Sequence, residues 1–159
     1  MSPERAARLS ATAGVLLALA VTPSALAAEA WRGCYARSYD AAHLQRSPGQ
    51  KIRALAIELK PVRESDAAFG AVITAVPTTG KLRYRHDADC MRVQAALECW
   101  VSAYRGYVVL TRAADGVRLE NPLGFRLEAA DESDTSLEIE ADPDHRVFLL
   151  ARAKPDLCK

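Results

Sequence analysis

The sequence beyond residue 50 alternates between apolar and polar residues, which is the pattern of β-strands that bury one face and expose the other. Leu55 and Ile57 share one face of such a segment, and Leu137 and Ile139 share a face of another. The run 69–76 is almost uniformly apolar, as in a strand covered on both faces. The alternation therefore predicts a chain built mostly of β-strands.

Turn-forming residues separate these segments at intervals of about 8 to 12 residues, as in a β-sandwich or β-barrel. We expect about eight to ten antiparallel strands joined as a meander, because no connection is long enough to hold a crossover helix. The turns are expected at 47–49, 77–80, 87–89, 115–116, 121–122 and 142–144. We predict a single antiparallel barrel of about eight strands, up-and-down or partly open, with a β-sandwich as the alternative.

The segment 38–50 departs from the alternation. Asp40 can accept a hydrogen bond at the start of one helical turn over 41–45, after which Pro48 and Gly49 turn the chain. We expect this helical turn to plug one end of the barrel.

The first 27 residues have the three parts of a secretory signal peptide. Arg5 and Arg8 make the start positive, the apolar run 11–21 follows, and Ala-Leu-Ala at 25–27 is a small-x-small cleavage site. This run is shorter than the roughly 20 residues that span a bilayer. We predict cleavage after Ala27, export to the periplasm or the medium, no membrane insertion after cleavage, and a single all-β domain over 28–159.

All four cysteines follow the predicted cleavage site, and an even number in an exported chain indicates two disulfides. Three pairings are possible, and the spacings match no zinc framework. Loop entropy gives about 4.9 and 2.7 kcal/mol for Cys34–Cys158 with Cys90–Cys99, against about 4.2 and 4.3 for Cys34–Cys90 with Cys99–Cys158. We favour the first pairing, because adjacent strands can hold Cys90 opposite Cys99 while the other bond joins the first strand to the last.

The predicted mature chain carries no net formal charge. Residues 1–27 contain two arginines and one glutamate, which leaves 19 basic and 19 acidic side chains in 28–159. This balance argues against nucleic acid or another polyanion as a general partner. The segment 128–144 departs from it, with eight acidic residues and no basic one.

The acidic segment 128–144 has two interpretations. It is either the solvated outer face of two strands and a loop, or a docking surface for a cationic envelope or secreted protein, with an attraction that weakens as salt rises. By analogy of architecture alone, small exported β-barrels that inhibit cationic hydrolases would use such a face. The candidate docking residues are Asp131, Glu132, Asp134, Glu138 and Glu140.

Tyr39, Asp40 and His43 form a second candidate binding site. Asp40 and His43 are three residues apart, so on a helical turn the carboxylate could orient the imidazole as a general base requires. The simpler interpretation is a helix cap beside a side chain that packs against the end of a sheet. The sequence fixes no nucleophile nearby, and Cys34 is expected to be oxidised.

Two further segments, 86–89 and 142–145, each place carboxylates beside a histidine. Brought together they could ligate a divalent ion, but each also has the composition of a polar hairpin turn. We therefore predict neither a metal site nor a cofactor.

Two sets of aromatic residues flank arginines in the sequence. Such rings can stack on a sugar or a peptide, but more often they fill a barrel end or seal the rim of a core. The sets are Trp31, Tyr35 and Tyr39, and Trp100, Tyr104 and Tyr107.

The segment from Cys34 to Gln50, with the order Cys-Tyr-x-Arg-x-Tyr-Asp-x-x-His-Leu, resembles the signature of a group of small exported bacterial proteins of unknown function. The likeness continues in outline through the strand after Gln50, the Cys90 and Cys99 pair and the closing run 146–149. It implies an all-β periplasmic or secreted domain and brings no catalytic residues.

The sequence has no G-x-S-x-G, no H-E-x-x-H and no phosphate-binding glycine loop, so nothing in it favours an enzyme. We predict a monomeric exported binding module for a protein or small ligand. The alternatives are an inhibitor of a cationic hydrolase that uses the acidic segment 128–144, and a hydrolase that uses Asp40 and His43.

Overall fold

The computed structural model describes residues 29–63, 65, 67–131 and 133–159. The predicted signal peptide and its cleavage site lie outside the described residues. The strands are β1 Gly33–Ser38, β2 Ile52–Pro61, β3 Ala68–Pro77, β4 Tyr84–Val93, β5 Ala96–Val101, β6 Tyr107–Ala113, β7 Gly116–Glu120, β8 Phe125–Ala129, β9 Ser136–Ile139 and β10 Val147–Ala153. Helix α1 spans Ala41–Arg46, and a C-terminal 3-10 helix spans Pro155–Cys158.

Eight of these strands close into an antiparallel barrel. The ring runs β1-β2-β3-β4-β5-β6-β7-β10 and returns to β1, so the prediction of an antiparallel barrel is confirmed. The hairpin β8–β9 is inserted between β7 and β10 and stands outside the ring. It joins the sheet where Tyr84 and Arg85 of β4 pair with Ala129 and Glu128 of β8.

The alternation seen in the sequence places one set of side chains inside the ring. Large apolar side chains from nearly every strand are almost fully buried there, and a ring of eight strands leaves room for little else. Among the largest are Tyr35, Phe69, Phe148, Ile57, Leu59, Ile73, Leu97, Leu110 and Leu119.

The barrel end at the start of β1 is sealed by Trp31, which is buried. The Tyr35 hydroxyl donates a hydrogen bond to the Trp31 carbonyl at 3.1 Å. The Arg112 guanidinium lies 5.3 Å from the centre of the Trp31 ring and donates to the Tyr35 hydroxyl at 3.2 Å. This end is therefore closed by an aromatic residue under a cation.

Helix α1 begins after its cap Asp40, as predicted, but it does not plug the barrel. None of its residues is buried. Its sequence, Ala-Ala-His-Leu-Gln-Arg, has one large aliphatic side chain, too little to form an apolar face. His43 instead borders a cavity with Val147 and Leu149, residues of β10 that are exposed.

The turn expected at 87–89 was also wrong, because these residues lie inside β4. Asp87 and Asp89 are exposed, whereas Ala88 between them is buried in the core. Carboxylates on the outer face of a strand produce the same composition as a polar turn.

Both disulfides have the favoured pairing. Cys34 bonds to Cys158 across 124 residues, with the Cα atoms 5.9 Å apart, and fastens the C-terminal 3-10 helix to β1. Cys90 and Cys99 lie directly opposite each other in β4 and β5, with the Cα atoms 4.0 Å apart. Two structural disulfides indicate an oxidising, extracytoplasmic environment.

The two disulfides should differ in their contribution to stability. Replacing Cys34 and Cys158 by alanine should lower the free energy of unfolding by about 4.9 kcal/mol, and replacing Cys90 and Cys99 by about 2.7 kcal/mol, because the first bond closes a far longer loop. Denaturant unfolding of both variants beside the wild type measures this. The opposite order would contradict the entropic explanation.

Candidate functional site

Asp40 does not orient the His43 imidazole. Its Oδ1 accepts a hydrogen bond from the His43 backbone N–H at 2.7 Å, so the carboxylate caps α1. The imidazole stacks on the Tyr39 ring at 4.6 Å, and the Arg37 guanidinium lies 5.4 Å from the centre of the same ring. Burial raises the pKa of the Tyr39 phenol, and the charge of Arg37 opposes part of this rise. The residues therefore form a stacked surface cluster and not an acid–base pair.

His145 is a structural residue. Its ring is fully buried, Nε2 accepts a hydrogen bond from the Lys51 backbone N–H at 2.9 Å, and Nδ1 therefore donates to Asp142 Oδ1 at 2.8 Å. Burial acts to raise the pKa of Asp142, but the hydrogen bond and charge of His145 and the backbone N–H groups of His145 and Asp144 together lower it. These hydrogen bonds connect the loop before β10 to the loop before β2.

The segments 86–89 and 142–145 do not come together. His86 Nε2 lies 3.1 Å from the Ser102 carbonyl oxygen, and both ring nitrogens of His145 are already bonded. Within the described ranges, no group of three or more histidine, cysteine, aspartate or glutamate side chains could hold a metal ion.

The acidic segment 128–144 is partly neutralised by basic residues from elsewhere in the chain. Ion pairs link Arg105 to Glu128, Arg126 to Glu138, and Lys51 to Glu140. Of the other candidate docking residues, Asp131 and Asp134 are exposed between β8 and β9, and Glu132 lies outside the described residues. Hydrogen bonds from Ser133 lower the pKa of Asp131. The candidate residues thus do not all present free charge to a partner.

The loop between β5 and β6 has the most unusual backbone of the described chain. Ala103 and Tyr104 adopt left-handed conformations in succession, with φ of 57° and 58°. Each such residue with a Cβ atom costs roughly 1–2 kcal/mol. Tyr104 nevertheless packs against nothing, because its side chain is fully exposed. No contact of the Tyr104 side chain in the folded state therefore offsets the cost of its left-handed backbone conformation.

The base of this loop is held firmly. The Arg105 carbonyl accepts a hydrogen bond from the Arg126 backbone N–H at 2.7 Å, and Gly106 forms a bridge with Phe125. Gly106 has a φ of 133°, and a Cβ atom there would collide with the backbone and side chain of Phe125. The hairpin β8–β9 therefore anchors the loop from which Tyr104 projects.

A second exposed side chain, that of Leu123, lines the same cavity as Tyr104. Leu123, in the turn between β7 and β8, is 79 % exposed. Buried Asn121 fixes this turn, because its side-chain nitrogen lies within 3.1 Å of the Ile139 and Glu140 carbonyl oxygens and its Oδ1 accepts from the Gly124 backbone N–H at 2.8 Å. We call Tyr104, Leu123 and the open cavity of about 690 Å³ between their loops the loop surface.

Sequence reasoning found part of this site. Tyr104 belonged to one of the two aromatic sets, but neither its left-handed backbone nor the exposure of Leu123 was predicted. The sequence carries one signal, Gly106, which is compatible with a tight approach of another strand. Tyr39, Asp40 and His43 do come together, whereas the acidic docking residues lie on the separate hairpin β8–β9 and its flanking loop.

No protein-family model, curated protein or solved structure matches this chain. None of the described helices has the length and apolar character that crossing a membrane requires.

Asp142 should make stability depend on pH. Its pKa in the folded state lies below the unfolded value, so its contribution is complete above about pH 3.9 and is lost as pH falls through the folded pKa. Asp142→Asn should cost about 1 kcal/mol at neutral pH, since the carboxylate is partly exposed. The difference from wild type should shrink towards pH 3 in thermal unfolding. Asp134→Asn, which alters an exposed carboxylate, is the matched control.

Backbone strain at Tyr104 should be measurable. Tyr104→Gly should raise the free energy of unfolding by about 1 kcal/mol, because glycine adopts left-handed conformations without the Cβ penalty. Gly106→Ala should have the opposite sign and a larger magnitude, because the new Cβ atom meets Phe125. Denaturant unfolding tests both, and a destabilised Tyr104→Gly variant would show that the tyrosine makes a stabilising contact.

Proposed function

We propose that this chain is an exported binding module that recognises a protein partner through the loop surface. The observation that carries the proposal is the full exposure of the Tyr104 side chain together with the left-handed backbone of Ala103 and Tyr104. Strain that brings no folded-state contact is typical of functional sites. Export rests on the signal peptide predicted for residues 1–27 and agrees with the two disulfides.

A protein partner fits this surface better than a small ligand. The barrel interior is filled by core side chains, so binding falls to the outside of the molecule. Tyrosine is enriched among the residues that dominate protein–protein binding energy, because its ring offers a large contact area at a low cost in side-chain entropy. Leu123, which lines the same cavity, enlarges the apolar area that a partner could cover.

The two alternatives receive less support. A hydrolase would need the Asp40 carboxylate on the His43 ring, but this carboxylate bonds the backbone instead. An inhibitor acting through the acidic segment 128–144 would have to compete with the ion pairs that Arg126 and Lys51 already make there. Binding through the loop surface requires neither a catalytic Asp40–His43 pair nor unpaired carboxylates in 128–144.

The proposal is tested by comparing wild type with Tyr104→Ala. Wild type and variant are each immobilised with their disulfides formed and exposed to the envelope and secreted proteins of the source organism. A partner retained by wild type is then purified for direct titration. We expect Tyr104→Ala to weaken its affinity at least about tenfold, as for a binding hot spot, with an unchanged unfolding temperature because the side chain is exposed.

A second pair of variants compares two exposed leucines. Leu123 lines the loop surface, and Leu149→Ala is the matched control because Leu149 lies on β10. It should leave the affinity unchanged, whereas Leu123→Ala should weaken it. A partner that binds Tyr104→Ala and wild type equally, or the absence of any retained partner, would refute the proposal.

A further inference from the structure

The outer face of β4, β5 and β6 exposes a group of large apolar side chains. Trp100 of β5 is 46 % exposed and Met91 of β4 is 44 % exposed, so together they form an exposed apolar patch. Tyr107 packs against Trp100 with the ring centres 5.6 Å apart. We call the surface formed by Met91, Trp100, Tyr107 and Val109 the aromatic face.

Strand register places the aromatic face in continuous rows. Asp89 of β4 lies opposite Trp100 of β5, which lies opposite Tyr107 of β6. Gly70 of β3 lies opposite Asp89 and extends this row by one strand. Since neighbouring strands are about 4.8 Å apart, the row from Gly70 to Tyr107 is about 14 Å long. It is long enough to receive several residues of an extended chain.

Gly70 leaves open space at one end of this row. Its φ lies outside the left-handed region, and a Cβ atom placed there would meet nothing within 4 Å. The β3–β4 register is regular around it, so no bulge requires glycine. A glycine inside a strand otherwise costs stability and can mark a place where a ligand approaches the backbone.

The aromatic face is also rigid. Cys90 and Cys99 lie opposite each other on the inner side of β4 and β5, directly behind the residues that form the face. Their disulfide locks the two strands that carry Asp89 and Trp100. A surface held in one geometry loses little conformational entropy when it binds.

The carboxylates on and beside the aromatic face are not neutralised by ion pairs. Asp87 and Asp89 are exposed and Glu98 is half-buried, and in the described part of the chain no lysine, arginine or histidine forms an ion pair with them. Burial and the nearby Glu98 carboxylate raise the pKa of Tyr107. The acidic segment 128–144, in contrast, is partly neutralised by Lys51, Arg105 and Arg126.

We propose that the aromatic face binds an extended, lysine- or arginine-bearing segment of a partner protein. A guanidinium or ammonium group would lie over the exposed Trp100 ring, where cations are attracted to the π face. Asp87 and Asp89 would accept its hydrogen bonds as charge-assisted partners. The backbone of the segment would approach β3 at Gly70. The proposal goes beyond the loop surface and does not depend on Tyr104.

The test uses a hexa-arginine peptide as the probe, titrated into the disulfide-bonded protein at low ionic strength. Calorimetry gives the affinity, and tryptophan fluorescence reports on the site because Trp31 is buried whereas Trp100 is exposed. The variant Asp87→Asn/Asp89→Asn should weaken binding about tenfold. Asp131→Asn/Asp134→Asn changes the net charge by the same amount on the hairpin β8–β9 and should weaken it less than about twofold.

Three results would overturn the proposal. They are no binding of hexa-arginine to wild type, equal weakening by the two double variants, and binding heat without a change in tryptophan fluorescence. Equal weakening would mean that the peptide follows net charge alone. Tyr104→Ala should leave peptide affinity unchanged, so a failure of this proposal is distinguishable from a failure of the loop surface.

Discussion

Closure of the eight-stranded ring determines what every other part of the molecule can do. A ring of this size has an interior that side chains fill completely, so one residue of every two along a strand is committed to packing. Chemistry and recognition are left to the outward residues and to the connections at the two ends. One end is sealed by Trp31 beneath Arg112. The other end carries the longer connections, including the loop surface.

At this second end, the inserted hairpin β8–β9 holds the neighbouring loops in place through hydrogen bonds. Asn121 and His145 are fully buried polar residues, and the hydrogen bonds of both reach backbone groups of other segments. Buried polar groups are costly unless bonded, so such a network selects one arrangement of the loops. The rigid base explains how an exposed tyrosine can be held in a strained conformation.

The fold was predictable because its main determinant is local. A two-residue period and regularly spaced turn residues indicate an antiparallel barrel or sandwich, and adjacent strands bring Cys90 opposite Cys99. The turn at 87–89 was wrong because composition does not tell an outward carboxylate on a strand from one in a turn. The plug by α1 was wrong because the helix has one large aliphatic side chain and so lacks an apolar face to bury.

The candidate sites were less predictable because they depend on contacts between distant segments. Glu138 and Glu140 look like free charge in the sequence, and only the fold brings Arg126 and Lys51 to them. Asp87 and Asp89 show the reverse, since nearby arginines in the sequence do not pair with them. The positive φ of Tyr104 could not be predicted from its residue type, because tyrosine rarely adopts a positive φ.

The pairing of β1 with β10 has a consequence for the order of assembly. The first strand of the barrel forms one edge with β2 but must leave its other edge open until residues 147–153 arrive. Cys34 likewise waits for Cys158, which lies 124 residues further along the chain. A chain that becomes available from its N-terminal side therefore completes its barrel late. Both the ring and its longest covalent link therefore close only once residues 147–158 are available to β1.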